Sequence, residues 1–185
     1  RALNYRKLYD PEIGFARPRL RNGDFKPEFD VLQTHGEGFI EGNSFNFSFH
    51  VPHDVLGVMK LMGGEKEFLR KLDELFGMHL PKKYYEANED ITEDCLIGGY
   101  VHGNEPSHHI PYLYAWTPQP WKTQYWVREV MNRMYRNHIR GLGGNDDCGQ
   151  MSAWYLFTAM GFYPVCPGTD QYVLGAPYLP YLKLT

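Results

Sequence analysis

The 185-residue sequence is 43% apolar and 16% aromatic, enough to bury a sizeable single core, and its formal net charge is −3. Its lysines and arginines are scattered, which argues against a nucleic-acid partner, and no run approaches the roughly 18 apolar residues of a membrane span. Cys95, Cys148 and Cys166 show no CxxC spacing and cannot all pair, so they define neither a zinc cluster nor a redox compartment.

Residues 1–9 have helical spacing at Leu3, Tyr5 and Leu8. A Pro- and Gly-rich connection succeeds them over residues 11–27, with a turn signal at Asn22-Gly23-Asp24. The chain opens as though within a helix and stops in an apparent strand, so it is expected to be part of a longer polypeptide, and a missing leader says nothing about address. Residues 30–38 are polar and irregular. In FIEGNSFNFSFHVPHDV, residues 39–55, Phe39, Phe45, Phe47 and Phe49 surround one acid, Glu41. Aromatic neighbours would strip water from this carboxyl and favour its neutral form, as a general acid requires. In the plainer reading Glu41 caps a helix or faces water.

A helix is predicted over residues 55–62, closed by Gly63-Gly64. A second is predicted over residues 65–76, with Phe68, Leu69, Leu72, Leu75 and Phe76 inward and Lys66, Arg70, Lys71 and Glu74 on a solvated face. The Gly-Gly joint predicts an antiparallel pair. Residues 82–94 read as a surface loop. In GGYVHGNEPSHHIPYLYAW, residues 98–116, Asn104 and Glu105 precede Pro106, which suits the first turn of a helix running through Leu113. His102, His108 and His109 do not suit zinc, because adjacent helical histidines diverge by about 100° and no HExxH or cysteine accompanies them. The hard oxygens of Asn104 and Glu105 suit calcium better, although a simple helix start uses the same residues.

Residues 119–138 read as one long helix with a core stripe at Trp121, Tyr125, Val127, Met131, Met134 and Tyr135. GGNDDCGQMSAWYLFTAMGF, residues 143–162, is a glycine-rich turn entering a helix that is apolar nearly all round and is expected to lie inside. Asn145, Asp146 or Asp147 can cap that helix. Capping uses only one acid, so the pair points to a site. Beyond residue 162, short strands broken by prolines are expected. The predicted fold is mainly α: antiparallel helix pairs through residue 162, then the start of a β region over residues 163–185, with Glu41, Glu105 and Asp147 on one rim.

Taken together, EGNSFNFSFHVPHDV, YVHGNEPSHHIPYLY, QPWKTQ and GLGGNDDCGQMSAWYLFTAMGFYPVCPGTDQYVLGAP resemble consecutive blocks of the glycoside hydrolase family 92 exo-α-mannosidases, in family order over about residues 1–177. The resemblance implies a calcium-dependent, inverting hydrolase with an N-terminal β-sandwich and an (α/α)6 barrel. This chain would supply the second half of the barrel and the start of the β region beyond it. The resemblance puts the general acid on Glu41 and the general base on Asp147, with Asp146 and Asn145 beside it. It places Asn104 and Glu105 near calcium and the leaving group, and His102 and Phe45 among the substrate contacts. A mannose-containing oligosaccharide or N-glycan is the implied partner, and the implied address is extracytoplasmic. Two departures stand out: Ser44-Phe45-Asn46 replaces the common Ala-Trp-Gln, and the charged loop is altered around residues 88–94, which bears on leaving-group specificity.

On this reading Glu41 protonates the glycosidic oxygen while Asp147 takes a proton from the attacking water, with the two carboxyls about 6.5–9.5 Å apart, as inverting pairs are. Terminal α-linked mannose, foremost α-1,2, is the expected substrate. The rivals are a non-catalytic sugar-binding helical module, and cleavage of a mannose-1-phosphate linkage. The isolated segment is expected to be inactive, because half a barrel cannot enclose a sugar.

Overall fold

The structure is a computed structural model that describes residues 1–88 and 91–183; Glu89 and Asp90 of the predicted surface loop, and Leu184 and Thr185 of the predicted β region, lie outside the described residues. Helices dominate its regular structure: α1 (Ser44–Phe47), α2 (Val55–Leu61), α3 (Glu65–Gly77), α4 (Trp121–Met134) and α5 (Gln150–Met160). Three antiparallel hairpins of two-residue strands accompany them: β1 (Tyr9–Asp10) with β2 (Phe15–Ala16), β3 (Leu96–Ile97) with β4 (Tyr100–Val101), and β5 (Phe162–Tyr163) with β6 (Val173–Leu174).

The predicted pair α2 and α3 forms as its sequence dictates. Asp54 caps α2 by accepting from the Gly57 amide at 3.0 Å. It also accepts from the Tyr5 hydroxyl at 2.6 Å and from Arg6 at 2.9 Å, and these two bonds, Tyr5 first, hold its carboxyl down at about 2. Gly63 and Gly64, both at positive φ, then reverse the chain. α3 buries Phe68, Leu72, Leu75 and Phe76, each contributing about 1.5–3 kcal/mol. Its exposed Arg70 pairs with Glu67 and Glu74, contacts that add little. Lys71 departs from its predicted solvated face. It is buried, donates to the Ile13 carbonyl at 2.9 Å and lies 3.7 Å over the Phe15 ring, so it ties α3 to the β1–β2 hairpin.

Tertiary contacts override local pattern elsewhere. Residues 1–9 form only a 3-10 turn, Asn4–Lys7, before entering β1. The predicted helix after Pro106 is two 3-10 segments, Glu105–Ser107 and Ile110–Trp116, the second packed along α4. α4 stops at Met134 instead of His138, because Tyr135 turns extended, bridges to Leu142 and sends its hydroxyl into the core. α5 is buried on one side only, through Met151, Trp154, Thr158 and Ala159, whereas Leu156 is 61% exposed. The chain after it folds back as β5–β6: Tyr163 stacks on Tyr112 at 4.8 Å, and the Tyr178 amide donates to the Ala159 carbonyl. Among the described residues no helix is long and apolar enough to cross a membrane.

Candidate active site

Two glycine-rich turns build the site by touching backbone to backbone. A Cβ on Gly103 would lie 2.6 Å from the Gly143 carbonyl oxygen, and one on Gly144 would lie 2.6 Å from Gly103 Cα. Glycine is required here for close approach as well as for the φ of +130° at Gly144. The contact brings Asn104 and Glu105 of one turn beside Asn145, Asp146 and Asp147 of the other. A third turn joins them when Asn104 donates its side-chain amide to the Glu41 carbonyl at 2.6 Å.

The two adjacent acids divide their tasks. Asp146 Oδ1 accepts from the Ser152 amide and hydroxyl, both at 2.9 Å, and so caps α5. Asp147 makes no such cap and is exposed, with φ +44°. Glu41 is also exposed, with φ +64°. Asp147 and Glu41 are two of four non-glycine residues at positive φ among the described residues, a conformation that costs about 1–3 kcal/mol and gathers at functional sites. Glu105 lies within hydrogen-bonding reach of Asp147 and feels the charges of both Asp147 and Glu41. Burial first, then these neighbours, raises its carboxyl above the usual range. Its Oε1 is enclosed and has no hydrogen-bond partner among the described residues.

Behind the acids lies a buried scaffold of histidines. A neutral His102 accepts from the Tyr100 hydroxyl at Nδ1 (2.8 Å) and donates from Nε2 to Tyr135 (2.7 Å), which donates onward to the Met151 carbonyl (3.0 Å). His108 donates to the His102 carbonyl at 2.9 Å, and its Nδ1 faces the Gln150 amide nitrogen at 3.3 Å. His109 donates to the Phe49 carbonyl at 2.7 Å. Burial lowers His108 and His109 to about 4. Because their usual value is 6.5, the unfolded chain binds more protons as pH falls below 6.5. Stability is therefore intact above pH 6.5 and declines towards pH 4. The melting temperature of the full-length protein should fall steadily across that window at constant ionic strength; a flat profile between pH 7 and 4.5 counts against neutral buried imidazoles.

The sequence-predicted residues thus separate. Glu41, Asn104, Glu105 and Asp147 come together, with Asn145 exposed beside them. His102 is fully buried and Phe45 is 2% exposed, packed on Phe15 and Phe49, so neither presents a face to a ligand. The aromatic flank of Glu41 is likewise partly turned away, since Phe45 and Phe49 belong to the core. Ser44 and Asn46 are buried too: Ser44 bonds the Ala16 carbonyl, and Asn46 donates to the Gly99 carbonyl at 2.8 Å. The Ser-Phe-Asn departure is therefore a packing change behind the site. The three cysteines are free, and among the described residues no three His, Cys, Asp or Glu side chains form a metal-binding group.

The sequence model of the Glycosyl hydrolase family 92 catalytic domain matches residues 1–185. The chain belongs to glycosyl hydrolase family 92. The family GH92 alpha-mannosidase of Bacteroides thetaiotaomicron superposes with a TM-score of 0.84 at 44% identity, over 95% of this chain and 23% of that one. A structure of that enzyme with mannoimidazole gives 0.86 at 42%, again over 95% and 23%. The family GH92 inverting mannosidase from Bacteroides thetaiotaomicron VPI-5482 gives 0.78 at 42%, over 95% of this chain and 24% of that one. An uncharacterized secreted glycosidase of Arthroderma benhamiae is 26% identical over 182 residues, 93% of this chain and 21% of that protein. The chain therefore spans about a fifth of the curated relative and about a quarter of the solved structures. Its helix-dominated fold with short strands is that of the GH92 structures.

In this GH92 chain, sequence reasoning weighed His108 only as a zinc ligand and passed over Gln150, whose contact with it links the Glu105 turn to the first residue of α5. Their only sequence trace is position, one lying two residues past Pro106 and the other opening the helix after the paired acids.

Proposed function

We propose that the full-length protein is an exo-acting α-mannosidase that releases terminal α-linked mannose, α-1,2 foremost, from mannose-containing oligosaccharides or N-glycans by an inverting single displacement. The convergence of Glu41, Glu105 and Asp147, in a chain of family 92, carries this reading. Glu41 donates a proton to the glycosidic oxygen. Asp147 accepts one from a water attacking the anomeric carbon from the opposite face, which its exposure and freedom from capping leave it able to do. Asp146 holds the turn that aims Asp147, and Asn145 lies at the sugar side. Residues 1–162 then form the second half of an (α/α)6 barrel, with residues 163–185 beginning the β region after it. The secreted relative supports an extracytoplasmic address.

Calcium fits the donor set present. The enclosed, unpartnered Glu105 Oε1 and the amide oxygen of Asn104, whose nitrogen is engaged by Glu41, are hard donors of the kind calcium takes. When bound, calcium would draw the vicinal hydroxyls of mannose and favour an oxocarbenium-like ring. The test is hydrolysis of a panel of α-linked mannobioses by the full-length protein, with the anomer tracked by NMR. β-Mannose should appear first, and EDTA should stop its release until calcium is restored. Release of α-mannose would refute inversion, and indifference to EDTA would remove calcium from the scheme.

A further inference from the structure

Asp147 is the first of three successive residues in left-handed backbone: φ is +44° at Asp147, +59° at Cys148 and +93° at Gly149. L-residues visit that region singly as a rule, so two of them followed by a glycine make an arch that must be held at both ends. Asp146 holds the near end through its bonds to Ser152. Gln150 stands at the far end as the first residue of α5, and its backbone amide donates to the Asp147 carbonyl at 3.3 Å.

The Gln150 side chain reaches across to the other turn of the site. Its amide nitrogen faces His108 Nδ1 at 3.3 Å, and it lies within hydrogen-bonding reach of the hydroxyl of Tyr163, a buried residue. The direction of the first bond follows from the far side of the ring. His108 Nε2 points at the His102 carbonyl at 2.9 Å, which can only accept, so Nε2 carries the proton of the neutral ring and Nδ1 is left to accept from Gln150. His108 does not depend on Gln150 for its own place. Its backbone amide donates to the Glu105 carbonyl at 3.0 Å, its carbonyl accepts from Trp154 Nε1 at 2.9 Å, and it is 2% exposed. Gln150 therefore ties the end of the Asp147 arch to a fixed point three residues beyond Glu105, and the charge of Asp147 reaches that same imidazole.

We propose that Gln150 is a positioning residue for Asp147: its carboxamide, bonded to His108 Nδ1, sets where the Asp147 carboxylate stands relative to Glu105. The proposal rests on Asp147 as the general base. Without that bond the arch is held firmly at one end only, and the carboxylate drifts from the attacking water while Asn104 and Glu105 stay in place.

Full-length Gln150→Met tests this, because methionine keeps the length and helix preference of glutamine and loses its hydrogen bonds. On an α-mannobiose, kcat should fall about tenfold or more with KM within about threefold of the parent, since a misplaced base is felt in the transition state. Two substitutions at His108 separate the Gln150 contact from the burial of the ring. Asparagine carries its oxygen at the same remove from Cβ as Nδ1 and keeps an acceptor for Gln150. Glutamine carries its amide nitrogen at the same remove as Nε2 and keeps the bond to His102 instead. His108→Gln should lower kcat as Gln150→Met does, with the double variant no slower than the slower single one, and His108→Asn should lose clearly less. A kcat for Gln150→Met within threefold of the parent, a loss carried by KM, or His108→Asn as slow as a folded His108→Gln overturns the proposal. Amide hydrogen exchange over residues 147–151 reads the arch without turnover. Exchange there should quicken in Gln150→Met, and unchanged exchange overturns the brace even where a His108 variant fails to fold. If the parent hydrolyses no α-mannoside, the mannosidase reading has failed, and the exchange result alone decides whether Gln150 holds the arch.

Discussion

Asp147→Asn in the full-length enzyme should lower kcat by about 10²- to 10⁴-fold, the range that a positioned acid or base contributes, while leaving the melting temperature almost unchanged. Asparagine is the right substitution because it tolerates the positive φ recorded at position 147 and matches the carboxylate in shape. What it removes is the carboxylate that, in the proposed mechanism, takes a proton from water. Asp146→Ala is the informative companion. It deletes the hydrogen bonds to the Ser152 amide and hydroxyl and should cost about 1 kcal/mol of stability, with a smaller effect on rate. Activity of Asp147→Asn within tenfold of the parent, or Asp146→Ala proving the more damaging to kcat, would reverse the division of roles between the two acids.

Gly144→Ala should both destabilise and inactivate. At φ +130° an L-residue is strained by about 1–3 kcal/mol, and the added methyl would also stand 2.6 Å from Gly103 Cα and 3.0 Å from its carbonyl oxygen. Both neighbours are backbone, so neither can rotate aside, and forced separation adds about 1–3 kcal/mol. The turns would part, moving Glu105 away from Asp147, and kcat/KM should fall at least about a hundredfold, the loss that a displacement near 1 Å can produce. Gly149→Ala provides the control: its φ is +93°, but nothing lies within 4 Å of the new methyl, so strain acts alone. Urea midpoints and kinetics for both variants decide the matter, and equal behaviour would mean that the contact between the turns carries no weight.

What the sequence discloses here depends on the range of the interaction that decides each feature. α3 is legible because Phe68, Leu72, Leu75 and Phe76 repeat at helical spacing and the Gly63-Gly64 reversal is a local event. The end of α4 is not, because nothing in Arg136-Asn137-His138 forbids a helix; the chain leaves it to pair Tyr135 with Leu142 and to reach His102. Phe45 and Phe49 lie four residues apart, a core signature present in the sequence, but their nearness to Glu41 draws them into the ligand reading. The grouping of Glu41, Glu105 and Asp147 is legible from their places at helix starts and from family resemblance. The wedging of Glu105 Oε1 into an enclosed, unpartnered position is not, because it depends on turns dozens of residues apart meeting at Gly103 and Gly144. The burial of Lys71 is hidden for the same reason, since its partner, the Ile13 carbonyl, is 58 residues away.

The meeting of bare peptide planes at Gly103, Gly143 and Gly144 also limits how the proposed site can be retailored. A joint without side chains offers no rotamer to swap and no volume to trim, so the proposed site cannot be tuned there by small steps. Diversification is pushed outward to the side chains around the joint. Directed evolution should therefore leave the glycine joint untouched and work on the side chains that surround it.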